Sequence, residues 1–358
     1  MTPHPQKNAV PTEYSAYVGR KLLFIAGLSI AVCVLLIAAI SLGAVRVPLV
    51  EVLRAIVGMP TDERWRIIVR DIRLPHALAA LLAGAGLASA GSAMQSILRN
   101  PLGSPFTLGL SQAGAFGAAF AVMLLGTGTM QSTQAGAVTI GNPYLTTVSA
   151  FAACLFTSMV IVAIARVRGA TPEIMVLSGI ALGSLFSAGT MFLQYFADDV
   201  QLAAMVFWTF GDVGRAGWSE VGYMAAVVVC GLLFFAFNRW NYNALEAGDE
   251  TAQGLGVCVN RVRMLGMVAA SLITATIVSF LGVIGFVGLV CPHIVRRFIG
   301  DDNRFVVPAS CLAGSVLLLG ADTAARLVLA PHVLPVAILT AFLGAPTFLY
   351  LLIRHGGR

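Results

Sequence analysis

The sequence predicts an all-α, polytopic membrane protein. Hydrophobic residues make up 58% of the 358 residues and charged residues only 11%, and the mean hydropathy is +0.88. This composition excludes a water-soluble domain of the same length. The apolar segments have the length of bilayer-spanning helices, about 20 residues each, and lack the alternation of outer-membrane barrel strands. We therefore expect transmembrane helices, because each helix satisfies its own backbone hydrogen bonds.

Ten apolar segments are predicted to form transmembrane helices. The eighth is short, and glycines and Pro292 crowd its start, so we expect a hairpin that is partly buried in protein. Five spans followed by five more predict two halves of opposite orientation, the inverted repeat that is common in transporters. The segments are 21–43, 76–98, 106–126, 144–165, 173–196, 220–238, 264–284, 286–299, 305–329 and 333–353.

Two parts of the chain are predicted from the distribution of charge: a cytoplasmic N-terminal tail, residues 1–19, and a single transmembrane domain, residues 20–358. The apolar run after Arg20 and Lys21 is too long for the core of a signal peptide and lacks a small-residue cleavage site, so we interpret it as a retained span. Most of the 22 Lys and Arg residues fall on the cytoplasmic side when the N-terminus is placed inside. Both termini are therefore expected in the cytoplasm.

The first external loop, Arg46 to Arg73, departs from this bias because it is rich in arginine. Two interpretations stay open from the loop alone. It is a solvated loop whose charge is partly neutralised by four acids, or it is a docking surface that steers an acidic partner outside the membrane. The four acids are Glu51, Asp62, Glu63 and Asp71.

The chain contains no motif for catalysis or nucleotide binding. Neither of its two lysines lies in a GxxxxGK[ST] loop, and HExxH and GxSxG are absent. The cysteines lack CxxC spacing and are interpreted as small buried hydrophobes, and Cys291 with His293 is too small a donor set to predict a metal site. Asp322, the only acid well inside a span, lies one turn before Arg326, so an ion pair is expected there. We predict no catalytic residue, and any ATP must be bound by another chain.

A polar segment, NALEAGDETAQGLGVCVNRVR at residues 243–263, separates two long apolar runs. Three apolar side chains spaced i, i+7 and i+10 are predicted to share one helix face, while the acids face away. Two glycines are predicted to end the helix and allow a sharp turn. The segment is an ordinary polar loop or an amphipathic element that inserts into a partner's cleft. The residues concerned are Leu245, Ala252 and Leu255 for the face, Glu246, Asp249 and Glu250 for the acids, and Gly254 and Gly256 for the turn.

The end of the second span carries two further features. Asn100-Pro101-Leu102 ends the helix, because proline cannot continue it, and a short link follows. Before it, small residues recur at a spacing that allows close helix packing. These residues are Gly84, Gly86, Ser89, Gly91 and Ser92.

Several motifs, in order along the chain, resemble the permease subunit of bacterial ABC importers for ferric siderophores, haem and cobalamin. They are IRLP (72–75), GAGLASAGSAMQSILRNPLGSPFTLGLSQAGAFGAA (84–119), GDETAQGLGV (248–257), GVIGFVGLVCPHIVR (282–296), LLLGADTAARLVLAP (317–331) and LPVAILTAFLGAPTFLYLL (334–352). The resemblance implies a permease of ten transmembrane helices in the inner membrane. It also implies a second copy or a related permease beside it, two cytoplasmic ATPase subunits that bind ATP and Mg, and a periplasmic binding protein. No cofactor is implied in this chain, and no nucleic-acid partner.

The resemblance also implies roles for particular residues. Residues 241–262 correspond to a cytoplasmic coupling segment that seats in the ATPases. External arginines pair with glutamates of the binding protein, although the family often has a second arginine where this chain has His76. The corner after the second span narrows the inner end of the pathway. The implied residues are Leu245, Gly248, Ala252, Gly254, Leu255 and Gly256 for coupling, Arg73, Arg326, Arg70 and His76 for docking, and Asn100 and Leu102 for the gate.

The substrate is the least determined part of this expectation. Two stretches, 104–122 and 196–218, are most similar to the ferric-siderophore branch, which makes a siderophore the first choice. Haem or cobalamin is the alternative, since a wide and mostly apolar pathway makes few specific contacts. A third interpretation, an ion-coupled carrier acting alone, has only Asp322 in its support. A non-transporting scaffold would leave the external arginines and the coupling segment unexplained.

Overall fold

The structure is a computed structural model that describes residues 12–43, 45–130, 138–140, 143–328 and 334–355. A small antiparallel hairpin pairs β1 (Gly128–Met130) with β2 (Val138–Ile140) between the fifth and sixth helices. The predicted all-α fold is confirmed, with this hairpin as a minor addition. The helices are α1 (Thr12–Ser41), α2 (Leu49–Val57), α3 (Glu63–Arg66), α4 (Leu74–Leu98), α5 (Leu110–Leu124), α6 (Pro143–Arg168), α7 (Pro172–Phe196), α8 (Asp199–Thr209), α9 (Trp218–Phe237), α10 (Arg239–Glu246), α11 (Asp249–Gly254), α12 (Val259–Leu281), α13 (Val287–Ile299), α14 (Asn303–Val328) and α15 (Val336–His355).

Ten of these helices coincide with the ten predicted spans: α1, α4 to α7, α9 and α12 to α15. Among the described residues, seven helices are long and apolar enough to cross a membrane, and α5 and α15 are shorter apolar helices. The eighth, α13, has 13 residues and is therefore about 20 Å long. That is shorter than the roughly 30 Å hydrocarbon core, in agreement with a partly buried segment. The inverted-repeat relation between the halves stays a prediction.

The second span begins earlier than the sequence analysis predicts. Helix α3, a π-helical stretch (Ile67–Arg73) and α4 form one continuous helix from Glu63 to Leu98. Short helix α2 precedes it and ends at Gly58, whose positive φ of 80° suits glycine. The arginine-rich segment, Arg46 to Arg73, is therefore mostly helical rather than a loop, so its charges occupy fixed positions.

Local caps define where several helices begin. Thr171 accepts a hydrogen bond from the Ile174 backbone at the start of α7, where Pro172 occupies the first position. Asp198 and Gln201 form a reciprocal capping box at the start of α8, with distances of 2.7 and 3.2 Å. These polar residues separate α7 from α8 on the side that also carries α2 and α3.

Helix α4 lies at the centre of the bundle, where it packs against α14, α12, α13, α9 and α1. Glycines bring two of these helices into backbone contact. A Cβ atom at Gly84 would overlap the Gly314 carbonyl of α14, and one at Gly91 would overlap the Gly288 carbonyl of α13. The predicted packing role of the small-residue stripe is confirmed at these two crossings.

A second close-packed group consists of α5, α6 and α7. Gly109, with a positive φ of 75°, approaches Gly179 and Gly183 of α7, so any side chain there would meet backbone. Gly117 of α5 lies equally close to the Ser149 carbonyl of α6. The glycine contacts thus define two groups of closely packed helices, α4–α13–α14 and α5–α6–α7. Residues 99–109 connect the two groups along the chain.

Candidate functional site: the coupling segment, the inner corner and the outer mouth

The polar segment 243–263 contains two short helices that meet at a glycine. Helix α10 ends at Glu246, and α11 begins at Asp249. Between them Gly248 has a φ of 116°, a conformation that side-chain-bearing residues rarely adopt. The expectation that the first short helix ends at Gly254 and Gly256 is wrong, because Gly254 is the last residue of the second helix; Gly256, with φ 82°, forms the turn that follows.

The three apolar side chains of this segment do not share one face. Leu245 and Ala252 are fully buried against the rest of the chain, whereas Leu255 is 69% exposed. The bend at Gly248 changes the helix direction, so the i, i+7, i+10 spacing of a single helix no longer applies. Leu245 and Ala252 therefore anchor the segment to the bundle, and Leu255 is its outward apolar side chain.

Glu246 is bound within the protein rather than turned toward a partner. It forms an ion pair of 2.8 Å with Arg296 of α13. It also accepts hydrogen bonds from Ser96 at 2.6 Å and from the Asn303 side chain at 3.1 Å. Arg296 also donates to Ser96. This cluster joins α10 to α4, α13 and α14, so the expectation that Glu246 faces away from the protein is wrong.

Asp249 binds the buried arginine of α12. Arg263, 1% exposed, donates to both Asp249 carboxylate oxygens, at 2.8 and 2.6 Å. Arg263 also donates to the carbonyls of Ile97 and Ala170, each at 3.1 Å, and Arg99 lies 3.8 Å from the Asp249 carboxylate. A bidentate guanidinium pair is a strong and directional contact. It fixes the start of α11 against the end of α4.

A third contact joins α10 to the turn between α13 and α14. The Asn243 side chain donates to Asp302 at 3.1 Å and accepts from the Asn303 backbone at 2.8 Å. Burial raises the pKa of Asp302, but hydrogen bonds from Arg304 and Asn243 outweigh it and hold that pKa at about 2. Asp302 is therefore ionised at neutral pH, and its contacts with α10 are charge-assisted.

One surface of the segment remains open after these contacts. It contains Leu255, and its glycines have open space beside them, with nothing within 4 Å of a Cβ at Gly254 or Gly256. An exposed leucine within a polar rim is typical of a protein interface. The exposed residues are Ala247, Glu250, Thr251, Gln253, Gly254, Leu255, Gly256, Cys258, Asn260 and Arg261.

The inner corner follows α4 directly. Arg99 ends the helix with a φ of 47°, and the Asn100 side chain accepts a hydrogen bond from the Leu102 backbone at 2.9 Å. Asn100 and Leu102 line an open cavity of about 680 Å³ between the corner, α5 and α7, together with Phe106 and Met191. The gate role of Asn100 and Leu102 stays a prediction, and their position beside this cavity is compatible with it.

At the outer mouth, the two predicted docking arginines bind the end of α1. Arg73, which is buried, donates to the carbonyls of Ile40 at 2.8 Å, Ser41 at 2.9 Å and Val45. Arg326 pairs with Asp322 at 2.9 Å and donates to the Ala39 carbonyl at 3.1 Å. The expected Asp322–Arg326 ion pair is confirmed. Docking through these arginines stays a prediction. It requires each arginine to replace its contacts with carbonyls of α1 by contacts with carboxylates of the binding protein.

His76 and Arg70 occupy different environments. His76 is partly buried, hydrogen-bonded to the Gly214 backbone and close to Asp212. Arg70 has an exposed side chain, while its backbone carbonyl accepts a hydrogen bond from the Trp218 ring at 3.0 Å. Arg70 is thus available to a partner. Its exposed neighbours on the same helical segment and loop are Arg46, Arg54, Arg64 and Arg66.

Sequence reasoning missed the residues that bind the coupling segment: Arg263, Arg296, Ser96 and Asn303. The sequence does contain a hint of these contacts. The short polar segment contains the acids Glu246 and Asp249, and basic residues lie near the start of α12 and the end of α13. Which acid pairs with which arginine depends on tertiary contacts. Among the described residues no cluster of three His, Cys, Asp or Glu side chains could hold a metal ion.

Comparison with known proteins extends over almost the whole chain. The profile of the FecCD transport family matches residues 30–354. A protein named as an ABC transporter permease in Methanocaldococcus jannaschii is 52% identical over 96% of this chain and 98% of its own length. The Fe(3+)-citrate import system permease protein of Bacillus subtilis is 36% identical, covering 93% of this chain and 95% of that protein. The hemin transport system permease protein of Yersinia pestis is 36% identical, covering 82% and 85%.

A solved structure supports the same grouping. It is described as an inward-facing conformation of a metal-chelate type ABC transporter. It matches with a TM-score of 0.78 and 26% identity, covering 93% of this chain and 99% of that chain. The region matched by the family profile, residues 30–354, contains the coupling segment, the inner corner and the outer mouth. The chain is a multi-pass membrane protein that belongs to the FecCD transport family.

Proposed function

We propose that this chain is the permease subunit of an ABC importer that moves a ferric siderophore into the cytoplasm by alternating access. ATP is hydrolysed in two separate cytoplasmic subunits, and a periplasmic binding protein delivers the substrate. The observation that carries the proposal is the coupling segment, which exposes Leu255. Two ion pairs bind the segment to Arg263 of α12 and Arg296 of α13. Hydrogen bonds of Arg263 to the Ile97 carbonyl and of Ser96 to Glu246 extend these contacts to the end of α4, which precedes the inner corner. This arrangement can pass a displacement of the surface to the cavity.

The mechanical steps follow from the contacts. An ATPase subunit that binds Leu255 and the open surface beside Gly254 and Gly256 moves α11 when its nucleotide sites close. Asp249 transmits that movement to Arg263, which binds the carbonyl of Ile97, the penultimate residue of α4. Glu246 transmits it to Ser96 and Arg296. The corner at Asn100 then moves with α4, and the adjacent cavity opens or closes.

On the periplasmic side, the exposed arginines of α2, α3 and the π-helical stretch form the first contact surface for the binding protein. Arg54 and Arg66 are paired with Glu51 and Glu63, at 2.9 and 3.2 Å. Arg46, Arg64 and Arg70 are exposed, so they can attract carboxylates at long range. Arg73 and Arg326 join the contact only after docking releases the end of α1.

The choice of substrate rests on resemblance. The relatives named for Fe(3+)-citrate import and for hemin transport are both 36% identical to this chain, so the choice of a siderophore depends on the two stretches, 104–122 and 196–218, that are most similar to the siderophore branch. Haem or cobalamin is the alternative. The cavity beside the corner is mostly apolar and wide, so it does not select among these ligands.

The decisive experiment is uptake by proteoliposomes that contain this chain with its ATPase and its binding protein. We expect uptake of a 55Fe-labelled siderophore that requires ATP on the cytoplasmic side. Uptake of haem or cobalamin in its place would correct the substrate and leave the importer mechanism intact. Uptake by this chain alone, driven by an ion gradient, would overturn the mechanism.

The accompanying variant is Leu255→Asp, with Gln253→Asp as the matched control on the same open surface. We expect Leu255→Asp to abolish association with the ATPase subunit, because a carboxylate replaces the apolar contact. Gln253→Asp introduces the same charge without removing an apolar side chain, so association should fall much less. Pull-down of the ATPase with the purified permease measures both.

A further inference from the structure

Helix α12 presents an apolar stripe to the outside of the bundle. Leu265, Val268 and Leu272 are each exposed and follow one another at i, i+3 and i+7, so they lie on one helix face. A groove runs along each side of the stripe. The groove between α6 and α12 has a volume of about 350 Å³, and the groove between α9 and α12 about 490 Å³.

The two grooves differ in charge. Apart from Ser158, the α6–α12 groove is lined by apolar side chains until it ends at Arg166. Arg261 lies four residues before Leu265 and therefore continues the α12 stripe toward the same end. That α6 and α12 meet at this end follows from the hydrogen bond between Arg263 and the Ala170 carbonyl. In contrast, no charged residue lines the α9–α12 groove.

Arg166 and Arg261 are both accessible to a ligand outside the bundle. Arg166 and Arg261 are exposed, and within the described part of the chain neither takes part in a salt bridge or side-chain hydrogen bond, in contrast to Arg263 and Arg296. Arg168, also exposed, adds a third positive charge at the end of α6. Three cations without carboxylate partners at the end of an apolar groove are complementary to an amphipathic anion.

The dimensions of the groove match one acyl chain. Its α6 wall runs from Leu155 to Arg166, a difference of 11 residues, or about 16 Å at the helical rise per residue. Half of a bilayer's hydrocarbon core is about 15 Å thick. A chain that begins at the level of Arg166 would therefore reach the bilayer midplane at the Leu155 end of the groove.

We propose that the α6–α12 groove is a binding site for an anionic phospholipid. Its phosphate lies between Arg166 and Arg261, and one acyl chain fills the groove along Val162 and Val268. Basic residues at the membrane surface beside an interhelical groove are a known basis for anionic-lipid recognition. The site lies on the opposite face of α12 from the buried Arg263, so lipid binding would stabilise the end of the bundle that carries α10 and α11. The site does not depend on which substrate the importer carries.

A second copy of this chain fits the groove less well than a lipid does. A two-fold symmetric dimer places the same patch of both copies against each other. Arg166, Arg168 and Arg261 of one copy would then approach the same arginines of the other, and like charges in contact disfavour the interface. The arginines favour a lipid phosphate for the same reason.

The test measures lipid binding to the full-length chain by native mass spectrometry after detergent delipidation. Phosphatidylglycerol and phosphatidylcholine with identical acyl chains are titrated separately. We expect one tightly bound phosphatidylglycerol and no comparable phosphatidylcholine. The double variant Arg166→Gln with Arg261→Gln should weaken phosphatidylglycerol binding about thirtyfold, since two interfacial arginines are removed. Arg239→Gln is the matched control and should leave binding unchanged, because Arg239 is an exposed arginine at the start of α10 that lines neither groove.

A second variant tests the groove without altering charge. Ala163 is exposed on the groove wall, and Ala163→Trp should displace the acyl chain and weaken binding while the arginines remain. Equal affinity for the two lipids, wild-type binding by the double variant, or wild-type binding by Ala163→Trp would each overturn the proposal. So would crosslinking between two copies through a photoreactive residue at Val268, because that result would assign the stripe to a dimer interface.

Discussion

Arginines stabilise both ends of this bundle, but they bind different groups. At the coupling end, Arg263 and Arg296 bind the carboxylates of Asp249 and Glu246. At the outer mouth, Arg73 binds carbonyls at and just beyond the end of α1. Arg215 does the same for α8, donating to the carbonyls of Trp208, Phe207 and Phe210. Arg326 is intermediate, with one carboxylate and the Ala39 carbonyl.

The difference concerns what each arginine holds in place. Carbonyls at a helix end lack partners within the helix, so an arginine that binds them completes a fixed element. A carboxylate on a short separate helix belongs to a segment that can move as a unit. The outer arginines therefore define the ends of α1 and α8, whereas the inner arginines connect the coupling segment to the bundle.

Arg263→Gln should produce the largest effect. It removes both bonds to Asp249 and the bonds to the Ile97 and Ala170 carbonyls, so we expect a loss of about 3–5 kcal/mol in the free energy of unfolding. Transport should fall with it. Denaturant unfolding of the purified chain in detergent measures the loss. Arg263→Lys is the control, because it keeps the charge and loses only the bidentate geometry. Wild-type stability of the Arg263→Gln variant would contradict the conclusion that Arg263 binds α11 to the end of α4.

The second comparison is between the two leucines of the coupling segment. Leu245→Ala should lower the free energy of unfolding by about 2–5 kcal/mol because it leaves a cavity. Leu255→Ala should change it by less than about 0.5 kcal/mol, since that side chain is exposed, and should instead weaken ATPase association. Thermal unfolding and pull-down of the ATPase separate the two effects. A destabilised Leu255→Ala chain would place Leu255 in the protein's own core.

Arg73→Gln tests the outer mouth. Loss of its bonds to the end of α1 should lower stability by about 1–3 kcal/mol, because buried carbonyls lose their partner. Arg70→Gln, one turn away and exposed, should leave stability unchanged. Unfolding of both variants is compared with docking of the binding protein. Unchanged stability with impaired docking in Arg73→Gln would assign this arginine to the partner instead of to α1.

The smallest effect on stability is expected for Arg46→Gln combined with Arg64→Gln. Both residues are exposed, so the free energy of unfolding should stay within about 0.5 kcal/mol. The association rate of the binding protein should fall severalfold at low salt, and the difference should vanish at high salt, where exposed charges are screened. Stopped-flow association at two ionic strengths checks this. A salt-independent rate would remove these arginines from the docking surface.

The sequence was sufficient for the ten hydrophobic helices because each is defined by a local property, a run of apolar residues. The eighth segment, residues 286–299, is also recognisable as short from the sequence. The short helix predicted within residues 243–263 is divided into α10 and α11 by the bend at Gly248. The helices α2, α3 and α8 are not predicted from the sequence, since short helices depend on caps and on contacts with the bundle. The early start of the second span at Glu63 was missed for the same reason.

The candidate site was predictable in its location but not in its contacts. The segment 243–263 stood out because it is polar between apolar runs. The bend at Gly248, which turns Leu255 outward while Leu245 stays buried, is set by one glycine with positive φ. The pairing of Asp249 with Arg263 joins residues 14 positions apart across that bend, and no periodic pattern marks it.

The glycine contacts have a consequence for how the chain can move. Backbone touches backbone between α4 and α14 at Gly84 and between α4 and α13 at Gly91, so these three helices have no slack to slide past one another. The same holds for α5 with α6 and α7. We expect the helices within each group to move together, with residues 99–109 as the covalent joint between the two groups and α12, which packs against both α4 and α6, as their shared contact. An inserted or deleted residue in that joint should then be far more harmful to transport than one in the external loops.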